Sequence, residues 1–182
     1  LLVTNQRREA ITNLTLFFVL QRIGGSSTNV VLVTRGPLNT GSIYISETSV
    51  RIYYNTNFTN EHTYTSNILG PGILVVNISN ASGLCVVSSR VNGTANTATN
   101  QFYNIPILNG WEIGNWSENI GSVLLGSFNG IGEIIQYNRN LSTIEQQRIE
   151  ALLATKWGLN SVLPASHPFK SSAVTYTKPL AY

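Results

Sequence analysis

Short runs of β-branched and aromatic residues, each closed off by Gly, Pro, Asn or Ser, recur along most of this chain and limit its fold more than any other feature. They are Leu14–Arg22, Asn29–Thr34, Ser42–Ser46, Ser49–Tyr54, Ile73–Ile78, Leu84–Val91, Gln101–Ile105 and Asn129–Asn138. Turn formers separate them: Gly24-Gly25-Ser26-Ser27, Arg35-Gly36-Pro37, Gly70-Pro71-Gly72 and Asn92-Gly93. Such short strands at regular spacing predict an all-β fold, a sandwich or a barrel. Val50-Arg51-Ile52-Tyr53-Tyr54 alternates as a strand does when one face is buried and the other wet. Asn92-Gly93 predicts a type I′ hairpin turn, because both residues accept positive φ.

One helix interrupts the pattern, from about Thr143 to Trp157. Ser142 and Glu145 stand at capping-box spacing, so that the Ser oxygen meets the N3 amide while the Glu reaches back to the cap. Ile149, Leu152, Leu153 and Trp157 form an apolar stripe. Gly158 follows as the left-handed residue that ends a helix. This reads as a lid packed on a sheet. Beyond it, Pro164, Pro168 and Pro179 forbid regular structure. Ser171–Tyr182 then reads as an extended tail, an arm that reaches a neighbouring molecule or a strap across its own domain. Residues 1–170 make one domain, which suits a chain of 182 residues. The sequence neither begins with Met nor contains one, as expected of a processed chain or a segment of a longer one.

Composition narrows the function. Only 10% of residues are charged, while 21 Asn, 18 Thr and 18 Ser supply neutral amides and hydroxyls. Such faces suit sugar hydroxyls or close packing between subunits. The eleven basic residues are scattered, with Arg7-Arg8 the only adjacent pair, so the net charge of +3 does not form the phosphate-binding patch of a nucleic-acid partner. The single cysteine, Cys85, excludes an intrachain disulfide and sits in an apolar run, as a buried thiol does. No apolar run approaches the roughly 18 residues of a membrane span.

The C-terminal part carries a specific pattern. Gly130-Ile131-Gly132-Glu133-Ile134-Ile135-Gln136-Tyr137-Asn138-Arg139 leads through Leu141-Ser142 into the helix. Then come Lys156-Trp157-Gly158-Leu159 and Leu163-Pro164-Ala165-Ser166-His167-Pro168-Phe169. This closely resembles the end of LamG-like, concanavalin A-like lectin/glucanase domains. Arg90-Val91-Asn92-Gly93-Thr94 is similar to their Y-V-N-G-T hairpin. The resemblance implies a two-sheet antiparallel β-sandwich, a jelly roll, in which Glu133, Tyr137, Asn138, Trp157, Gly158 and His167 are structural. On this reading Glu133 is paired by Arg139 or a backbone amide near the helix start. Trp157 closes the core beneath the helix, and His167 is a fixed hydrogen-bonding residue in a rigid turn.

Catalysis is not expected. Glycanases of that fold place Glu, Asp and Glu on one strand, and retaining hydrolysis needs two carboxyls about 5–5.5 Å apart. This chain has no Asp, and its closest Glu, Glu145 and Glu150, fall on different faces of the helix. Without Asp, calcium is disfavoured. One Cys and two His, His62 and His167, make a poor zinc set. No cofactor is expected. For ligand contact the best candidates are Trp111, Glu112, Asn115 and Trp116, an aromatic platform with polar neighbours. Tyr53, Tyr54, Tyr64 and Tyr103 are further groove-lining candidates. Two functions fit: a structural subunit of a virion that holds other protein subunits of a particle or surface assembly, or a glycan-binding adhesion module outside the cell or at its surface.

Overall fold

The computed structural model describes the backbone of residues 2–4, 13–22, 30–34, 42–45, 49–53, 61–65, 70–81, 84–96, 101–103, 111–113 and 128–171, and the side chains of 13–20, 70–79, 86–96 and 131–171. The strands are β1 (Leu2–Thr4), β2 (Asn13–Arg22), β3 (Val30–Thr34), β4 (Ser42–Ile45), β5 (Ser49–Tyr53), β6 (Glu61–Thr65), β7 (Gly72–Ala81), β8 (Leu84–Val91), β9 (Thr94–Asn96), β10 (Gln101–Tyr103), β11 (Trp111–Ile113) and β12 (Phe128–Tyr137). Helix α1 spans Thr143–Lys156, followed by a 3₁₀ turn at Asn160–Val162. Each expected run holds a strand. β1, β6, β9 and β11 fall outside those runs; three of them have only three residues, too few to show a period.

The expected two-sheet sandwich is corrected. The packing that is defined belongs to a single antiparallel sheet, a five-strand path β10-β8-β7-β2-β12 with β9 also on β8, and to the C-terminal helix laid against it. β1, β11, β3, β4, β5 and β6 pair with one another in that order. Among the described side chains, none sets that ladder face to face with the first sheet. The reason is physical. Alternation along a strand reports that one face is covered, not whether a sheet or a helix covers it.

Register explains where the core lies. Phe17 stands opposite Val75 and Ile135, and Val75 stands opposite Arg90, so one row crosses β12, β2, β7 and β8 on a single face. Phe17, Val19, Ile73 and Val75 from this face pack with Leu141, Ala151, Leu153, Ala154, Leu159 and Leu163. Leu16, Phe18, Leu74 and Val76, on the opposite face, are also fully buried. The central strands are therefore apolar on both sides. The Asn92-Gly93 turn forms as expected, with φ of 50° and 79°. It is tied to β7 by Asn92 N–H donating to Ile73 O and Ile73 N–H donating to Asn92 Oδ1, both at 2.8 Å.

The helix differs from expectation in which face it buries. Its buried residues are Gln146, Glu150, Ala151, Leu153 and Ala154. Of the expected stripe only Leu153 is buried; Ile149 and Leu152 are half-buried, and Trp157 is 42% exposed. Trp157 therefore does not close the core. The stripe was misplaced because polar residues can turn inward when they have partners. Gln146 donates to Leu141 O at 2.8 Å, and Glu150 is paired from two sides, as described below. Gly158, at φ +68°, ends the helix as expected.

The capping box is complete: Glu145 N–H donates to Ser142 Oγ and Ser142 N–H donates to Glu145 Oε2. Arg139 adds a 2.6 Å bond to Glu145 Oε1. Hydrogen bonds from Arg139 first, then from the Ser142 backbone and side chain, lower the Glu145 pKa to about 2. A carboxyl whose folded pKa is depressed stabilises the fold above its unfolded pKa and loses that contribution as pH falls through the folded value. Stability supplied by this cap should therefore fall between about pH 4.3 and about pH 2. Denaturation curves across that window should show the fall in the wild type, and Glu145→Gln should reduce it.

Candidate functional site

Two polar clusters flank the helix, one sealed and one open. The sealed cluster links strand, helix and the following turn. Arg90 Nε on β8 lies 3.0 and 3.1 Å from the two carboxylate oxygens of Glu150 on α1. Its Nη2 donates to Gly93 O at 2.6 Å. His167 Nε2 lies 3.3 Å from Glu150 Oε2. Phe169 N–H points at His167 Nδ1 (3.4 Å), which places the ring proton on Nε2, facing the carboxylate. The side chains of Glu150 and His167 are wholly buried, and that of Arg90 is nearly so. A His–carboxylate pair without solvent contact has no route to a substrate, so this cluster fastens the helix to the sheet. The backbone N–H of His167 donates to Pro164 O at 3.0 Å.

The open cluster lies at the C-terminal end of the helix. There β12 carries Glu133, and the helix ends in Lys156 and Trp157. The ending is a Schellman motif: Gly158 N–H donates to Thr155 O and Leu159 N–H to Ala154 O, at 3.4 and 2.7 Å. The reversal seats the six-membered ring of Trp157 over Gly132, where an added Cβ would lie 3.0 Å from the ring. Trp157 Nε1 donates to Glu133 Oε2 at 2.8 Å, and Lys156 Nζ reaches Oε1 and Oε2 at 2.9 and 2.8 Å. The expected partner of Glu133, Arg139, pairs with Glu145 instead. Partial burial pushes the Glu133 carboxyl up, but the hydrogen bonds from Lys156 and Trp157, with the Lys156 charge, hold it below its ordinary pKa.

Beside this cluster runs a groove of about 410 Å³ lined by Val19, Leu20, Pro71, Ile131, Gly132, Trp157 and Leu159. That size is within the range of small-ligand sites, roughly 300–1,000 Å³. Sequence reading missed the groove. Its one signal was Trp157, which the resemblance assigned to the core. Tyr137 packs edge-on against Phe17, with centroids 6.1 Å apart, and Asn138 accepts a hydrogen bond from Gln136.

The ligand candidates named from sequence are only partly placed. Trp111 and Glu112 lie on β11, an inner strand between β1 and β3, with side chains outside the described set. Asn115, Trp116 and Tyr54 lie outside the described residues, as does the tail after Ser171. Tyr53 and Tyr64 share one ladder, while Tyr103 belongs to the other sheet, so the tyrosines are not strung along one sheet. Among the described residues, no three or more His, Cys, Asp or Glu are grouped to hold a metal, and no helix is long and apolar enough to cross a membrane.

The sequence matches no family model and no curated protein. Solved structures do match in fold. A native heptameric SAP-like pentraxin from Limulus polyphemus aligns over 76% of this chain and 70% of its own, at 15% identity and a TM-score of 0.52. Trypanosoma rangeli sialidase in complex with sialic acid aligns over 80% of this chain but 23% of its own, at 14% identity and a TM-score of 0.55. The binding domain of botulinum neurotoxin DC in complex with SialylT aligns over 78% and 36%, at 11% identity and a TM-score of 0.53. The chain thus spans about a third or less of the last two. These likenesses show a β-sheet fold shared with the matched structures, and not specifically the LamG-type, concanavalin A-like jelly roll expected from the C-terminal motifs.

Proposed function

We propose that this chain is a non-catalytic carbohydrate-binding module, acting outside the cell or at its surface, and that the Trp157 groove is where it holds sugar. The observation that carries this reading is a large aromatic ring, 42% exposed, forming the wall of an otherwise aliphatic groove and hydrogen-bonded to Glu133, which also holds Lys156. Aromatic faces take the CH-rich face of a sugar ring, while neighbouring polar groups exchange hydrogen bonds with its hydroxyls. The fold adds support, since two of the matched structures are described as complexes with sialic acid or SialylT. The matches favour this reading over a virion subunit, for which they supply nothing.

Glycan-array screening followed by calorimetry tests it. Wild type should bind at least one glycan, and Trp157→Ala should weaken that binding at least tenfold, about 1.4 kcal/mol. Because the ring is half out of the core, the variant should remain folded. Absence of binding across a broad array would remove the proposal.

A further inference from the structure

We infer that the Trp157 groove selects neutral pyranosides over acidic sugars, because the cation beside its Trp157 wall is already paired with Glu133. This rests on the carbohydrate-binding reading of the same groove. Lys156 Nζ sits within 2.9 Å of both Glu133 oxygens. The Trp157 wall therefore has a neutral pair beside it rather than a free ammonium. A sugar carboxylate placed there meets the Glu133 carboxylate as a like charge and must displace it to gain Lys156.

Hydrogen-bonding capacity points the same way. A carboxylate offers about four acceptor sites and an ammonium three donors. Lys156 and Trp157 occupy three of the Glu133 sites, one on Oε1 and two on Oε2, and Lys156 uses two of its donors. By that count one acceptor on Glu133 and one donor on Lys156 remain. Adjacent sugar hydroxyls, each both donor and acceptor, match that pair; a second carboxylate, an acceptor only, does not. The bond from Trp157 Nε1 to Glu133, the seat on Gly132 and the Lys156 ammonium 6.0 Å from the ring centroid hold the ring in place before a ligand arrives.

The test is calorimetric titration of the whole chain with neutral di- and tetrasaccharides and with the same saccharides bearing a terminal sialic acid. The neutral member should bind at least tenfold tighter, with little dependence on salt between 50 and about 300 mM. Trp157→Ala should abolish the difference. Glu133→Gln, checked by its melting curve, frees Lys156 and should move the preference at least threefold toward the sialylated member. Tighter Trp157-dependent binding of the sialylated member would overturn this inference and leave carbohydrate binding standing. Binding indifferent to Trp157→Ala would overturn the groove as the site and leave sugar binding elsewhere on the chain. Failure to bind either class would overturn both.

Discussion

Glu150→Ala should lower the free energy of unfolding by about 3–5 kcal/mol, because it strands a buried guanidinium. Arg90 is 7% exposed and Glu150 is fully buried. In the folded chain Arg90 keeps one further acceptor, Gly93 O, and His167 faces the same carboxylate. Removing the carboxylate leaves Arg90 charged and His167 Nε2–H without its acceptor. Neither can reach bulk water without opening the helix–sheet contact. Removing both charges together is different. Arg90→Met with Glu150→Leu replaces the pair by apolar volume, and such replacements are often near neutral. The double variant should therefore lose much less than the sum of its single changes, a coupling readable by urea denaturation in a double-mutant cycle. A loss below about 1 kcal/mol for Glu150→Ala would mean that water solvates this pair.

The same cluster shows what was legible in the sequence. The capping box, the type I′ turn at Asn92-Gly93 and the Gly158 helix stop were all readable, because each is a local contract between a few neighbouring residues. The buried face of the helix was not. Gln146 and Glu150 look like solvent residues until Leu141 O, Arg90 and His167 are brought beside them, and Arg90 is 60 positions away. Trp157 was misread for a related reason. Its place at the end of an apolar stripe suggests burial, yet the Schellman reversal and Gly132 put it over an edge strand with Glu133 for a partner. The layer opposite the sheet was misjudged because period-2 patterning is blind to what covers a face. The groove needed β2, β12, the turn before β7 and the helix end together, and no single segment announces it.

Gly93→Ala should destabilise the chain by about 2–5 kcal/mol, from two separate causes. The first is backbone. Gly93 has φ +79°, and a side chain in the left-handed region costs roughly 1–2 kcal/mol. The second is space. A Cβ there would lie 2.9 Å from His167 Cδ2, 3.0 Å from Pro164 Cδ and 3.1 Å from Leu163 Cδ2. None of these neighbours gives way easily. Leu163 is core, the Pro164 ring is stiff, and His167 is held by Glu150. Overpacking of this kind costs roughly 1–3 kcal/mol. Displacing His167 also disturbs Glu150, and Gly93 O is an acceptor for Arg90, so the hairpin tip and the buried charges should fail together. Thr94→Ala is the control: Thr94 is exposed and one residue on, and its change should stay within about 0.5 kcal/mol. Thermal and urea unfolding of the two variants decide the matter. If Gly93→Ala falls within that same small margin, the turn does not bear on the post-helix segment as closely as its 2.9 Å contact requires.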